Sequence, residues 1–326
     1  MNSNSKKLIA IFIIIFSIIL ISAEADYIIL TVNDQAITYL QFVKTYNLYI
    51  SQLKQQGVAV SDPVKETIDY MIQDILITQD AEEKGIKVTN EELQNYIDHI
   101  LKSYSITIDE LENQLKMQGM TLTDYMEAQK KQILMYRYIQ NVIEPKVKKP
   151  TKTQITNFYN ENKEKFKGSY QYTTIIIRTV VSQDASFKER LSLKKVMDKL
   201  LTILNEDNSK LNKSFIESFA LENKVQLVFE ESQYYPELEG ADLAEALSDL
   251  TTGKLSSVVE LDNNFYIFML KQKVKIDYIP LNAVQLKIYN YLLEQRKMEL
   301  FQTTIDNLKK NAVIVWFVNI TSIKLP

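Results

Sequence analysis

Apolar and polar residues alternate first with a period of two and then with a period near 3.6, so the chain opens on a hairpin and turns helical. Ile28 to Val32 and Gln35 to Ile37 flank Asn33-Asp34, a polar two-residue turn. Thr38 with Gln41 three residues on forms a capping box, and the helix it opens is predicted to run to Gln56 and stop at Gly57. Asp62-Pro63 opens a second helix, an N-cap followed by proline at the first helical position. Val64, Ile68, Met71, Ile72 and Ile75 make its apolar stripe, and Gly85 ends it. Thr89 with Glu92 and Thr107 with Glu110 repeat the capping box, with Val88 and Ile106 placed as hydrophobic staples. Thr121 with Asp124 opens a helix predicted to be lined by Leu122, Tyr125, Ile133 and Tyr136 and closed by Pro145 and Pro150. Thr151 with Gln154 opens another, reaching about Phe166.

After Gly168 the pattern changes. Tyr170 to Val181 is rich in β-branched and aromatic residues, the composition of a strand. A long helix follows from Phe187 to about Leu204, a short one at Phe215–Leu221, and a second strand at Gln226–Phe229. Asp242 to Leu250 reads as a short helix stopped by Thr251-Thr252-Gly253. Val258 to Leu261 and Phe265 to Lys273 flank Asp262-Asn263 as a hairpin. Beyond Pro280, Val284, Ile288, Tyr291, Leu292, Met298, Phe301, Ile305 and Leu308 fall on one long amphipathic helix, and Val313 to Val318 is a last strand. Neither that helix and strand nor the first hairpin can bury its apolar face alone, so each needs a partner.

The start of the chain adds export to this picture. Lys6 and Lys7 precede an apolar run from Leu8 to Ile21 broken only by Ser17, and Ala23 and Ala25 sit at −3 and −1 of a cleavage point before Asp26. The run falls short of the roughly 20 residues a bilayer span needs, so it reads as a cleaved signal peptide, peripheral to a membrane at most. Past Ala25 the chain holds 36 basic and 40 acidic residues, a net charge of −4. Mild acidity argues against a nucleic-acid partner, whose phosphates need a basic stripe. With no cysteine, an exported chain relies on packed cores, not disulfides.

Composition also narrows the chemistry. Without cysteine and with a single histidine, the chain cannot build cysteine nucleophiles or Cys/His zinc sites. His99 lies at the polar edge of a stripe formed by Leu93, Tyr96, Ile97, Ile100 and Leu101, and is expected on the surface with no activating partner.

The order of these elements resembles the SurA/PrsA/PpiD family of exported chaperones. The matching stretches are Val32-Asn33-Asp34-Gln35-Ala36-Ile37-Thr38, Val88-Thr89-Asn90-Glu91-Glu92-Leu93, Phe158 to Phe166, and Leu247 to Val259 with Gly253 and Ser256. The resemblance implies an α+β architecture: a helical SurA-type N-terminal chaperone module, an inserted parvulin-like α+β domain, and a C-terminal helix and strand returning to the first module. The implied division is a signal peptide over 1–25, the N-terminal domain over 26–168, the parvulin-like domain over 169–277 and the returning segment over 278–326. Implied partners are unfolded exported or outer-membrane polypeptides, held in the periplasm or another extracytoplasmic compartment. No nucleic acid, small-molecule cofactor or metal is implied.

At the family's active positions the chain departs from the pattern. Active parvulins carry a His-Ile-Leu motif where this chain has Thr174-Ile175-Ile176, and Gly-x-His-Ile-Ile where it has Asn264-Phe265-Tyr266-Ile267-Phe268. The Gly-Gly-Asp-Leu-Gly loop is missing, with Gln226-Leu227 near its place and Glu239-Gly240-Ala241-Asp242-Leu243 further on. Thr174 and Tyr266 offer hydroxyls, not imidazoles, so the expectation is a parvulin-like domain that has kept its fold and lost its turnover, with no catalytic residues. An active peptidyl-prolyl isomerase with an unusual site, and a non-chaperone envelope protein on the same scaffold, are the alternatives. For holding clients, 19 tyrosines, 13 phenylalanines and nine methionines supply adaptable apolar surface.

Overall fold

The computed structural model describes residues 26–324, apart from 118, 183 and 249. The proposed signal peptide, with Ala25 of its cleavage site, lies outside the described residues. Two contact-dense units emerge: the described residues up to Lys148 together with those from Leu293 onward, and Lys149–Leu292.

In the first unit, β1 (Ile28–Val32) and β2 (Gln35–Thr38) form the expected antiparallel hairpin, closed where Val32 faces Gln35. Asn33 takes the left-handed φ of +54° that such a tight turn asks for. Five helices follow: α1 (Tyr39–Gln55), α2 (Pro63–Glu83), α3 (Asn90–Tyr104), α4 (Ile108–Met117) and α5 (Leu122–Tyr138). Capping boxes at Thr38, Thr89 and Thr121 are formed as the spacing predicts. From the far end of the chain, β7 (Ile314–Trp316) pairs with β1, giving the sheet order β2-β1-β7. Ile29, Leu30 and Val32 of β1 pack on Phe42 of α1 and on Ile68, Ile72 and Ile75 of α2. A second cluster joins Ile77 and Ala81 of α2 to Leu134 and Tyr138 of α5. Within it the Tyr138 hydroxyl donates to Asp80 Oδ2 at 2.6 Å, and Lys84 neutralises the same carboxylate.

Tyr136 departs from expectation: it is exposed, whereas Leu134 and Tyr138 are buried. Leu134 and Tyr138 lie four residues apart on one face of the regular helix, so Tyr136, midway between them, falls on the opposite face. Beyond Tyr138 the helix widens into a π turn at Ile139–Ile143, where Val142 and Ile143 are buried.

The second unit begins with α6 (Lys152–Glu161), continues through β3 (Tyr170–Thr179), α7 (Phe187–Glu206), α8 (Lys213–Glu222), β4 (Leu227–Tyr234), α9 (Ala241–Ser248), β5 (Val259–Leu261) and β6 (Asn264–Lys275), and takes in the first turns of α10 (Leu281–Asn311). Its sheet is antiparallel throughout, in the order β4-β3-β6-β5. Ile177, Phe265 and Ile267 cover one face against Met197, Leu200 and Leu204 of α7 and Phe219 of α8. Ile176, Phe268 and Leu270 cover the other against Leu247 of α9.

The contact-dense units divide at Lys148 and Leu292. Ile155 and Tyr159 of α6 and Val284 and Ile288 of α10 share one cluster with Ile279, and the Tyr159 hydroxyl donates to the Ile279 carbonyl at 2.7 Å. Gly168 is needed for close approach: a Cβ there would lie 2.8 Å from Ile276 Cδ1. The apolar positions of α10 serve two cores, Val284 and Ile288 in the second unit and Phe301, Ile305 and Leu308 in the first. Tyr291 and Met298, which the single-stripe reading placed with them, are exposed.

Candidate functional site

The face of the second sheet that carries α9 holds both positions singled out in the sequence. Side chains alternate across a strand, so Tyr172, Thr174, Ile176 and Arg178 share this face of β3. The register places Ser232 and Leu270 on either side of Thr174, Glu230 and Phe268 beside Ile176, and Val228 and Tyr266 beside Arg178. Thr174 and Tyr266 therefore share a face without facing each other. Tyr266 lies four residues along β6 from the partner of Thr174, about 14 Å at a strand's rise of ~3.4 Å per residue. An imidazole pair at these two positions would not meet.

Their surroundings differ as well. Thr174 is fully buried, and its Oγ1 has no hydrogen-bond partner among the described residues. Tyr266 is half-buried and stacks on Phe268, ring centres 5.5 Å apart and 7° from parallel. Tyr234 meets the same phenylalanine edge-on at 6.4 Å. Three aromatic rings thus form a cluster on a strand face, the geometry in which rings attract beyond their buried area. Arg178 Nε lies 3.9 Å from Glu230 Oε1 at its border. Burial, then the charges of Glu239 and Glu230, push the Tyr234 hydroxyl up to about 12. Burial likewise raises Glu239, against the opposing charge of Lys287.

The stretch between α9 and β5 anchors this face. Gly253, at φ +79°, donates to the Leu270 carbonyl at 2.7 Å. The Ser256 amide donates to the Phe268 carbonyl at 2.8 Å, and its Oγ accepts from the Phe268 amide at 2.9 Å. A glycine for the left-handed turn and a serine to bond the neighbouring strand explain that stretch of sequence.

Chemically the face offers four rings, counting Tyr172, with hydroxyls, one guanidinium and two carboxylates. His99 is exposed on α3, in the other unit. Among the described residues, no group of three or more His, Asp or Glu is placed to hold a metal ion. Sequence reasoning missed Arg178, Glu230 and Tyr234; the period of two along β3 and β4 was the signal that could have found them.

The SurA N-terminal domain family matches residues 25–138. The PPIC-type PPIase domain family matches residues 150–285, which take in the whole of this sheet. The chain thus matches a SurA N-terminal domain followed by a PPIC-type PPIase domain. Chaperone SurA of Cupriavidus metallidurans is 26% identical to it over 261 residues, 77% of this chain and 52% of the relative. Chaperone SurA of Cupriavidus pinatubonensis is 24% identical over 268 residues, 77% of this chain and 51% of the relative. The chain thus spans about half the length of the curated relatives it matches. Among solved structures, one chain from the work on the SurA-like chaperones PEB4 and Cj1289 of Campylobacter jejuni has 16% identity and a TM-score of 0.46, covering 90% of this chain and 99% of that one.

Proposed function

We propose that this SurA-type chain is an extracytoplasmic chaperone that holds unfolded exported polypeptides, with a parvulin-type domain that binds peptide without turning it over. What carries the reading is a family-matched sheet in which a buried Thr174 and a half-buried Tyr266 stand where the resemblance would put histidines, with the chain's one histidine in the other unit. Prolyl isomerisation crosses a barrier of roughly 18–20 kcal/mol that arises from amide resonance. Lowering it requires polar groups that favour the twisted bond over the planar one. A fully buried Thr174 and a Tyr266 about 14 Å along the ladder cannot act together on one prolyl bond. Tyr234 and Tyr266, half-buried around the buried Phe268, are still suited to apolar side chains of a client.

The location rests on residues 1–25, with their basic start, apolar run and small residues before Asp26. Among the described residues no helix is long and apolar enough to cross a membrane. A chemically denatured, exported protein diluted into buffer supplies the test. Stoichiometric amounts of the purified chain are expected to slow its light scattering, while an equal mass of an inert protein does not. Identical scattering in both samples would remove the chaperone reading.

A further inference from the structure

The first unit's sheet ends on β7, and that edge differs from every other edge among the described residues. Outer strands usually carry charge that discourages pairing with a stray chain. Glu230 and Glu231 do this on β4, Glu260 on β5, and the polar Gln35 and Thr38 border β2. By contrast, β7 lies in Ala312-Val313-Ile314-Val315-Trp316-Phe317-Val318, seven residues with no charge, glycine or proline. That composition favours strand pairing. Val313 is 64% exposed, Phe317 59% and Trp316 43%.

The hydrogen bonds define what can cover this edge. Val313 accepts from the Asn33 amide at 2.7 Å, the Phe317 amide donates to Ile29 at 2.9 Å, and Val315 faces Thr31 between them. Backbone groups alternate in direction along a strand, so those of Ile314 and Trp316 point away from β1. Two donors and two acceptors are thus presented at strand spacing, flanked by exposed apolar side chains.

We propose that the outer edge of β7 captures an extended, apolar segment of a non-native polypeptide as a fourth strand. This rests on the chaperone reading and assigns it a recognition mode. Main-chain hydrogen bonds are blind to sequence, and the flanking rings favour aromatic and aliphatic side chains, the combination a holding protein needs. A second copy of the chain is the poorer occupant, because a stable dimer buries about 800 Å² per partner and a three-residue strand supplies a small part of that.

Trp316 is the only tryptophan, so the edge carries its own reporter. The probe is an acetylated, amidated heptapeptide alternating Phe with Ser and Thr. Its addition to the purified protein should shift the tryptophan emission and slow amide exchange at Ile314 and Trp316. The same peptide N-methylated at alternate residues should do neither. Val315→Lys should weaken binding about tenfold or more by charging the edge, with the thermal midpoint unchanged. Binding that leaves the Ile314 and Trp316 amides unprotected and slows exchange on β3 or β6 overturns the edge site and leaves the chaperone reading standing. Protection at Ile314 and Trp316 that grows with protein concentration, without peptide, overturns the client in favour of a second copy. Failure of the peptide to bind in a protein that also fails to suppress aggregation overturns both.

Discussion

Thr174 is a buried hydroxyl with no hydrogen-bond partner among the described residues, and such a group keeps the cost of leaving water without the return of a hydrogen bond. Valine has nearly its shape and no hydroxyl. Thr174→Val is therefore expected to leave stability unchanged or raise it by up to ~1 kcal/mol, read as the urea midpoint of the second unit. A lower midpoint would show that the hydroxyl has a partner, and the candidate site would have to be redrawn around it. Tyr138 is the opposite case, its hydroxyl held by Asp80 in a packed cluster. Neither environment was legible in the sequence. Thr174 reads as an ordinary strand residue, and Tyr138 was hidden because the apolar stripe was extended through Tyr136 at a constant period. The buried face runs instead through Leu134 and Tyr138, which pack on Ile77 and Ala81 of α2, and that tertiary contact is not written in the local pattern.

Among the elements, caps and turns were the most legible, because a capping box is a local hydrogen-bonding requirement written in residues three apart. What joins one helix to another is less so. Arg137 of α5 reaches Glu92 of α3 at 2.7 Å, a pairing across 45 residues that local spacing does not reveal. The Arg137 hydrogen bonds, then the Thr89 amide, hold the Glu92 carboxyl down to about 2, from the ordinary glutamate value of 4.5. A carboxyl whose pKa is lowered on folding stabilises the folded state above its unfolded value, and that contribution disappears as pH falls through the folded one. Arg137→Gln should lower the thermal midpoint at pH 6, and the difference from the parent should close between about pH 4.5 and 2. A difference that persists unchanged at the acid end would mean that Arg137 acts through packing and not through this ion pair. α10 shows a further limit: an amphipathic stripe read on one helix does not say how many cores it enters. Val284 and Ile288 enter one and Ile305 another, while Met298 between them is exposed.

For the whole molecule, the order of modules was visible because each element carries its own signal, and the family matches follow the same order. The division into units was less visible: α6 and the first turns of α10 join the second unit through contacts with Tyr235 and Ile279 that no local pattern encodes. At the candidate site, the sequence showed which chemical groups are missing, whereas the 14 Å offset between Thr174 and Tyr266 needed the strand register. Holding without turnover is the central claim, and cis–trans exchange in a proline tetrapeptide measures it directly. Uncatalysed, that exchange takes tens to hundreds of seconds. With stoichiometric protein, exchange spectroscopy by NMR should show shifted peptide resonances, reporting binding, and an exchange rate equal to that of the free peptide. A rate raised well above the free value and returned to it by Tyr266→Phe would contradict the account, because the hydroxyl on that face would then be driving isomerisation.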